Sequence, residues 1–314
     1  MCSDSKVLGA LRQLLSADDA EWALESTSSQ LSRDHLERLR AWGFRRLHVG
    51  VQTFDDPLRK AIGRREDAAV VLDKIGLALG MGFVVSVDLI YGLPGQALRG
   101  FVRDVETAVA AGADGCSLYH LNASRRNRAF VTADRPALSD YLFFQVGEQL
   151  LRAHGYRKNH FAHFARPRDR NLYYTHVVRG EDLIALGTSA DGSVGDYLYR
   201  HPPLGRYVGG TTVARPALDG GLRESAAAVA VRPASAALMS GTVDMARLGA
   251  VGAAHLVPRW LDLGMAAADG EPGRYTLTAT GSWFLSELLR ELTAAVGPGS
   301  EAGGGRRPLH VNGA

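Results

Sequence analysis

The amino-acid sequence predicts an α/β protein organised around a parallel sheet, and three features carry that expectation. Short β-rich runs alternate with amphipathic helical stretches through the first two-thirds of the chain. One helix-length segment separates each pair of strands, which is the βαβ pattern and implies right-handed crossovers. The clearest strand, residues 83–90 (FVVSVDLI), is nearly continuous in apolar character, as a parallel strand covered by helices should be. Pattern alone leaves both an open doubly wound sheet and a barrel compatible with these elements.

Taken in order, residues 1–15 read as an amphipathic helix without the long apolar run of a signal peptide. Residues 21–25 form a short candidate strand, after which Ser32 caps a helix that runs through Arg40 and ends near Gly43. Residues 46–51 (RLHVGV) are the second strand. A helix over 67–79 places Val71, Ile75 and Leu79 at four-residue spacing, with Gly80 and Gly82 closing it. Beyond the strand at 83–90, Phe101, Val105, Ala108 and Val109 mark a helix ending at Gly112. Residues 115–121 (GCSLYHL) are a fourth strand, followed by a helix over 138–153 with Leu142, Val146 and Leu150 in one stripe.

After Gly155 the rhythm changes. Residues 156–165 and 182–187 look like strands interrupted by loop chemistry, and Asp191-Gly192 is a turn signal. The glycine-rich stretch 205–221 reads as a linker or surface excursion. Residues 226–260 read as helices, and 275–277 as a short strand leading to a helix over 280–292. The tail, 297–314, has the composition of a disordered segment.

Composition narrows the function classes. Apolar residues make up 46% and charged residues 22%, ordinary for a chain that buries a core. A net charge of +3 is too weak a bias to argue for nucleic acid. Arg166, Arg168 and Arg170 read as a solvated loop cluster. No uncharged apolar stretch is long enough to span a bilayer. The two cysteines, Cys2 and Cys116, lie far apart in a chain with no secretion signal, so no disulfide framework is expected and the expected compartment is the cytoplasm.

In parallel β/α folds ligands bind at the carboxyl ends of strands, where loops converge and helix N-termini point their amides inward. That edge carries Glu25 after the first strand, Gln52 after the second, Asp88 near the end of the third, and Tyr119 with Asn122 at the fourth. Arg64 lies in the loop beyond Gln52. Together they supply an acid for an ammonium, a guanidinium for a carboxylate, and amide or hydroxyl groups for a ribose or base. Glu25 and Gln52 would serve equally as caps of neighbouring helices, and Arg64 as a surface residue. Asp88 is harder to dismiss, because a carboxylate inside an apolar strand is unfavourable unless paired or functional. His48, within a strand, reads as a satisfied core histidine. His160, His163 and His176 match no compact metal motif.

Three runs in order carry a family resemblance: Gly50-Val51-Gln52-Thr53-Phe54, then Ile62-Gly63-Arg64, then residues 88–96 (DLIYGLPGQ). They resemble the oxygen-independent coproporphyrinogen III oxidase family of radical SAM proteins. Arg170-Asn171, residues 182–187 and the run 277–281 (LTATG) resemble that family's C-terminal region, so the resemblance covers about residues 8–292. It implies a partial (β/α)6 barrel with a smaller, mainly helical C-terminal domain. The domains would be a partial barrel over 1–155, a connecting region with short strands over 156–221, the helical domain over 222–296 and the disordered tail. Carried over by position, Glu25, Gln52, Arg64 and Asp88 match residues that bind S-adenosylmethionine, and Asn122 matches another through a looser local alignment. Residues 114–122 and 187–192 look closer to the anaerobic haem-degrading methyltransferase branch, and the heme-chaperone branch is also similar.

The sequence departs from the family at its front. The family's C-x3-C-x2-C segment and the Gly-Gly-Thr-Pro segment after its second strand are both absent here. A [4Fe-4S] cluster is held by cysteine thiolates and this family uses three, so two cysteines do not suffice. Three readings follow from the resemblance. The first is a truncated or split radical SAM enzyme acting on a tetrapyrrole (porphyrinogen or haem), inactive alone and completed by a separate chain that supplies the cluster segment. The second is a non-catalytic haem-binding protein of chaperone type. The third is a remnant without activity. A sheet lacking the family's first two strands would also expose an apolar edge.

Overall fold

A computed structural model of the chain describes residues 5–14, 20–122, 137–212 and 215–296. Their contacts form two compact units, residues 5–158 with 162–170, and residues 159–161 with 171–296. The expected disordered tail at 297–314 lies outside the described residues.

The first unit opens with α1 (Ser5–Leu14) and β1 (Ala23–Thr27). The Ser32 side chain then accepts a hydrogen bond from the His35 amide, capping α2 (Arg33–Ala41), whose Leu36 and Leu39 are buried. β2 (Arg46–Gln52) leads to α3 (Asp56–Ala61), capped by Asp55 with a proline in its first turn. α4 (Ala68–Gly80) buries Val71, Ile75 and Ala78, three positions at helical spacing. β3 (Val84–Tyr91), α5 (Leu98–Ala110), β4 (Gly115–His120) and α6 (Ala137–Ala153) continue the alternation. β5 (Arg157–His160) and β6 (His163–Ala165) end it.

The six strands form one sheet in the order β1-β2-β3-β4-β6-β5. β1 to β4 are parallel neighbours in chain order, with Ala23 opposite Arg46, Arg46 opposite Val84, and Ser86 opposite Gly115. Consecutive order with right-handed crossovers stacks the helices on one face, the barrel-wall arrangement, and so decides against a doubly wound sheet. Helices α4, α5 and α6 do pack on β3 and β4. The face they cover presents Leu47, Val49, Val51, Val85, Val87, Leu89, Cys116 and Leu118, all essentially inaccessible to solvent. Each such Val or Leu side chain contributes roughly 1.5–3 kcal/mol through burial.

One member breaks the parallel rule. β6 runs antiparallel to β4, with Gly115 opposite Ala165 and Ser117 opposite His163. Only Phe161 and Ala162 separate β5 from β6, too short a connection for the crossover that a parallel strand requires. The arginine cluster is also more structural than its composition suggests. Arg168 donates to the Gly82 and Phe83 carbonyls and pairs with Asp114, and the Arg166 guanidinium lies 4.5 Å from the Tyr156 ring centroid.

The second unit begins with α7 (Leu172–Arg179), which the sequence pattern did not suggest. Left-handed residues flank it, Asn171 at φ 44° and Gly180 at φ 65°. The strand expected at 182–187 reduces to an isolated bridge between Leu183 and Ser193, with Ile184 and Leu186 exposed. The sheet in this region forms further on, from β7 (Asp191–Val194), β8 (Tyr197–Arg200) and β9 (Gly220–Arg223), all antiparallel. Within the expected linker, α8 (Leu204–Gly210) is a helix with no buried residue, so the stretch is a surface excursion with its own secondary structure.

Ser225 caps α9 (Ala226–Met239), which is followed by β10 (Thr242–Asp244), α10 (Met245–Ala250), α11 (Val257–Asp262) and β11 (Ala266–Ala268). β12 (Arg274–Leu277), α12 (Ala279–Trp283) and α13 (Leu285–Ala295) complete the unit. This part is mainly helical, with a small antiparallel sheet ordered β10-β12-β11. Its core centres on Trp260, Leu248, Leu277, Leu288 and Leu292. The Trp260 indole N–H is satisfied by Glu291 at 2.8 Å.

Candidate functional site

The face of the first sheet opposite the helices is polar. Side chains alternate along a strand, so the register that sends Leu47, Val49, Val85 and Val87 outward sends Arg46, His48, Ser86, Asp88 and Ser117 inward. His163 joins them from β6 and Asp169 from the loop beyond it. Arg46, His48, Ser86, Ser117, His163 and Asp169 are all buried. They satisfy one another: Asp169 Oδ1 accepts from Arg46 Nε at 2.7 Å, and Oδ2 accepts from Ser86 Oγ at 2.6 Å. His163 Nε2 lies 2.8 Å from the same Oδ2, and its Nδ1 lies 2.9 Å from Ser117 Oγ. His48 Nε2 meets Asp88 Oδ1.

Burial alone would raise the Asp169 carboxyl. The His163 hydrogen bond and the charged Arg46 guanidinium overcome that and hold it well below the usual carboxylate range. Burial lowers the His163 imidazole despite Asp169, which favours its neutral form. Gly115 is what lets the network close, since a Cβ there would fall 2.1 Å from Asp169 Oδ2.

At the carboxyl end of this face, three of the five sequence-predicted residues converge around Gly50. The β2–β3 register shifts between Gly50 and Gln52, a bulge that re-aims the strand end. Gln52 then sits at φ 74°, in the left-handed region that a side-chain-bearing residue rarely adopts. It is buried, and its Nε2 is shielded from solvent yet has no partner among the described residues. A Cβ on Gly50 would lie 2.8 Å from that Nε2 and 3.7 Å from Arg64 Nη2, so the missing side chain makes the room both occupy. Gly50 stands opposite Asp88 in the register. Burial lowers the Arg64 guanidinium, and the nearby Asp88 charge works against that shift. Strain and an unpartnered buried amide at one residue are the features expected of a binding position.

The loop that carries Arg64 is stapled from beneath. The Arg59 guanidinium, 1% exposed, donates to the carbonyls of Val51, Thr53 and Glu66. Asp104 on α5 accepts from Thr53 Oγ1 and the Phe54 amide, each at 2.7 Å.

The other two predicted residues stand apart. Glu25 is exposed on β1, one strand over, opposite His48 in the register. Asn122 follows β4 and is exposed, with its Oδ1 3.1 Å from His120 Nδ1, while His120 Nε2 meets Asp140 of α6. The three histidines grouped by sequence separate in space: His163 binds Asp169, His160 meets Asn171, and His176 pairs with Glu181. No group of three or more His, Cys, Asp or Glu able to hold a metal ion occurs among the described residues. Cys116 faces the helices in a fully buried position, where burial pushes its thiol far up, with Asp88 and Asp104 adding to the shift.

Sequence reading missed the buried network as a unit and took His48 simply as a satisfied core histidine, which it is: buried and partnered by Arg46 and Asp88. The signal was present in the alternation: Arg46 and His48, Ser86 and Asp88, and Ser117 place polar groups at every second position of otherwise apolar strands.

Residues 4–108 match the radical SAM superfamily. Among curated relatives, the heme chaperone HemW of Bacillus subtilis is 28% identical over 202 residues, 60% of this chain and 52% of the relative. Oxygen-independent coproporphyrinogen III oxidase of Salmonella typhimurium is 31% identical over 209 residues, 60% of this chain and 46% of the relative. Anaerobilin synthase of Escherichia coli O157:H7 is 28% identical over 203 residues, 62% of this chain and 45% of the relative. The chain thus spans about half the length of the curated relatives it matches. The solved structure of coproporphyrinogen III oxidase from Escherichia coli matches 93% of this chain and 73% of that one, with a TM-score of 0.75 and 23% identity, a likeness of fold. No described helix is long and apolar enough to cross a membrane. The chain is thus similar to the radical SAM superfamily over residues 4–108, and to oxygen-independent coproporphyrinogen III oxidases, heme chaperones and anaerobilin synthase over about 60% of its length.

Proposed function

We propose that the chain binds S-adenosylmethionine at the carboxyl edge of β1 to β4 and takes part in radical SAM chemistry on a tetrapyrrole. The observation that carries the reading is Gln52, strained and buried, with an unpartnered amide aimed beside Arg64 and Asp88. The donor set suits the ligand. Arg64 takes a carboxylate, Glu25 an ammonium, and Gln52 and Asp88 the hydroxyl or amine groups of a nucleoside. Asn122 belongs to the same proposal as an outlying contact. When bound, S-adenosylmethionine supplies an activated carbon–sulfur bond. The residues of this chain orient it.

The residues do not fit the [4Fe-4S] cluster of the superfamily. Two cysteines fall short of three thiolates, and Cys116 is buried on the helix-covered face with its thiol pushed up. No step is routed through a cluster held by this chain. In the proposal its ligands come from a separate chain or segment, and this chain alone is inactive. A cytoplasmic location belongs to the same reading.

A non-catalytic, haem-binding role is the second reading, favoured by the same cysteine arithmetic and by the heme chaperone among the relatives. Equilibrium dialysis of the purified chain against S-adenosylmethionine and against haemin tests both. Binding of S-adenosylmethionine that is lost in Asp88→Asn and Arg64→Ala supports the first reading. Haemin binding without S-adenosylmethionine binding overturns it in favour of the second.

A further inference from the structure

We infer that His48 is a positioning residue for Asp88, fixed by the buried network in one tautomer so that it holds Asp88 as an acceptor aimed at the ligand. The inference rests on reading Asp88 as an S-adenosylmethionine contact.

The proton positions follow from the acceptors. Asp169 is ionised, so His163 Nε2 carries the hydrogen that faces it. A neutral His163 then has a lone pair on Nδ1, which accepts the Ser117 hydroxyl proton at 2.9 Å. With that proton committed, Ser117 Oγ is an acceptor toward His48 Nε2 at 3.4 Å. Arg46 Nη2, which can only donate, faces His48 Nδ1 at 3.4 Å. Both neighbours therefore demand the same form of His48: a lone pair on Nδ1 and a hydrogen on Nε2. That hydrogen meets Asp88 Oδ1.

The order Ser117, His163, Asp169 has the members of a nucleophile relay, but Ser117 is completely buried, so no substrate reaches its hydroxyl. Within the network only Asp88 opens outward. Its side chain is 15% exposed, against 5% or less for Arg46, His48, His163 and Asp169. What such a network can do for a ligand, it does through Asp88. A neutral N–H on Oδ1 orients the carboxylate without neutralising it. Oδ2 has no hydrogen-bond partner among the described residues, so it remains for a ligand group that donates, a hydroxyl or an amine.

The test uses the full chain, with two readouts. The first is nitrogen-15 NMR of the histidine side chains at neutral pH. The expected signature for His48 is the neutral tautomer protonated on Nε2, and protonation on Nδ1 overturns the inference. The second is S-adenosylmethionine binding by calorimetry, with thermal melting of each variant as the folding control. His48→Phe removes the donor and is expected to weaken binding about tenfold or more, as loss of an orienting partner commonly does. His48→Gln keeps a donor and is expected to recover binding to within about threefold of the parent. Equal binding by His48→Phe and the parent overturns the inference, as does a His48→Gln variant no better than His48→Phe. Asp88→Asn separates the two failures. If it loses binding while His48→Phe keeps it, only the positioning role falls. If Asp88→Asn binds as the parent does, or the parent does not bind, the site reading itself falls and the role of His48 toward this ligand falls with it.

Discussion

The two faces of the parallel sheet are buried to a similar depth and solve burial in opposite ways. The helix-covered face is apolar, from Leu47, Val49 and Val51 to Val85, Val87 and Leu89. The inner face holds Arg46, Ser86, His163 and Asp169, which remain inside because each has a partner. Two aspartates make the difference measurable. Asp169 is surrounded by Arg46, His163 and Ser86 and is held far below the usual carboxylate range despite burial. Asp104, on the helix side, accepts from Thr53 and the Phe54 amide, and burial outweighs them, raising its carboxyl to about 6. Depth does not set the charge state of a buried acid. The company it keeps does.

The most severe way to break the inner face is Asp169→Ala, which leaves the Arg46 guanidinium buried without its anion. A loss of about 3–5 kcal/mol is expected in denaturant unfolding. A loss below about 1 kcal/mol would show that the network is not holding the sheet together. On the other face, Leu89→Ala removes atoms from a site with no exposure. It should cost about 3 kcal/mol, with no pH dependence of its own.

Acid titration sharpens the contrast between the aspartates. A carboxyl whose folded pKa is raised binds a proton more readily in the folded chain than in the unfolded one. Stability therefore falls as pH rises between the ordinary carboxylate value, about 4, and the folded value of about 6. The penalty is complete above that window. Asp169 acts in reverse: its contribution is present above the ordinary carboxylate value and is lost as pH falls toward its depressed folded value. Unfolding of the parent and of Asp104→Asn, compared from pH 4 to 7, should show the difference shift by about 2 kcal/mol in favour of the variant. A constant difference across that range would mean that Asp104 is ionised throughout.

The smallest effect concerns the strained strand end. Gln52→Asn places a residue more tolerant of the left-handed region at φ 74°. Stability should rise by up to about 1 kcal/mol, while the shortened side chain weakens S-adenosylmethionine binding. A variant that binds as the parent does would remove Gln52 from the site.

Much of the first unit was legible because its strands and helices follow a strong local code. Ser32 as a cap and the stripe of Val71 and Ile75 on α4 were read from spacing alone. The 182–187 segment misled because a short apolar run promises a strand only if a partner lies beside it, and there the pairing stops at Leu183. β6 was read within one interrupted strand at 156–165, and its antiparallel direction follows from a connection too short for a crossover. The α7 helix was missed because its flanks, Asn171 and Gly180, are left-handed residues that read as turn chemistry.

The candidate site divides along the same line. The sequence by itself determined the residue types at the strand ends and the resemblance they carry, since Gln52, Arg64 and Asp88 sit in recognisable runs. It also carries only two cysteines, Cys2 and Cys116, in its 314 residues. Only the tertiary structure decided that Gln52 takes a left-handed backbone, that Gly50 clears the space beside it, and that Arg64 lies close enough to feel the Asp88 charge. It also joined Arg46, His48, Ser117, His163 and Asp169, residues drawn from three strands and a loop, into one network. The physical reason is range. Alternation and capping act over a few residues, whereas a hydrogen bond between Arg46 and Asp169 exists only after 123 residues of chain have been folded back.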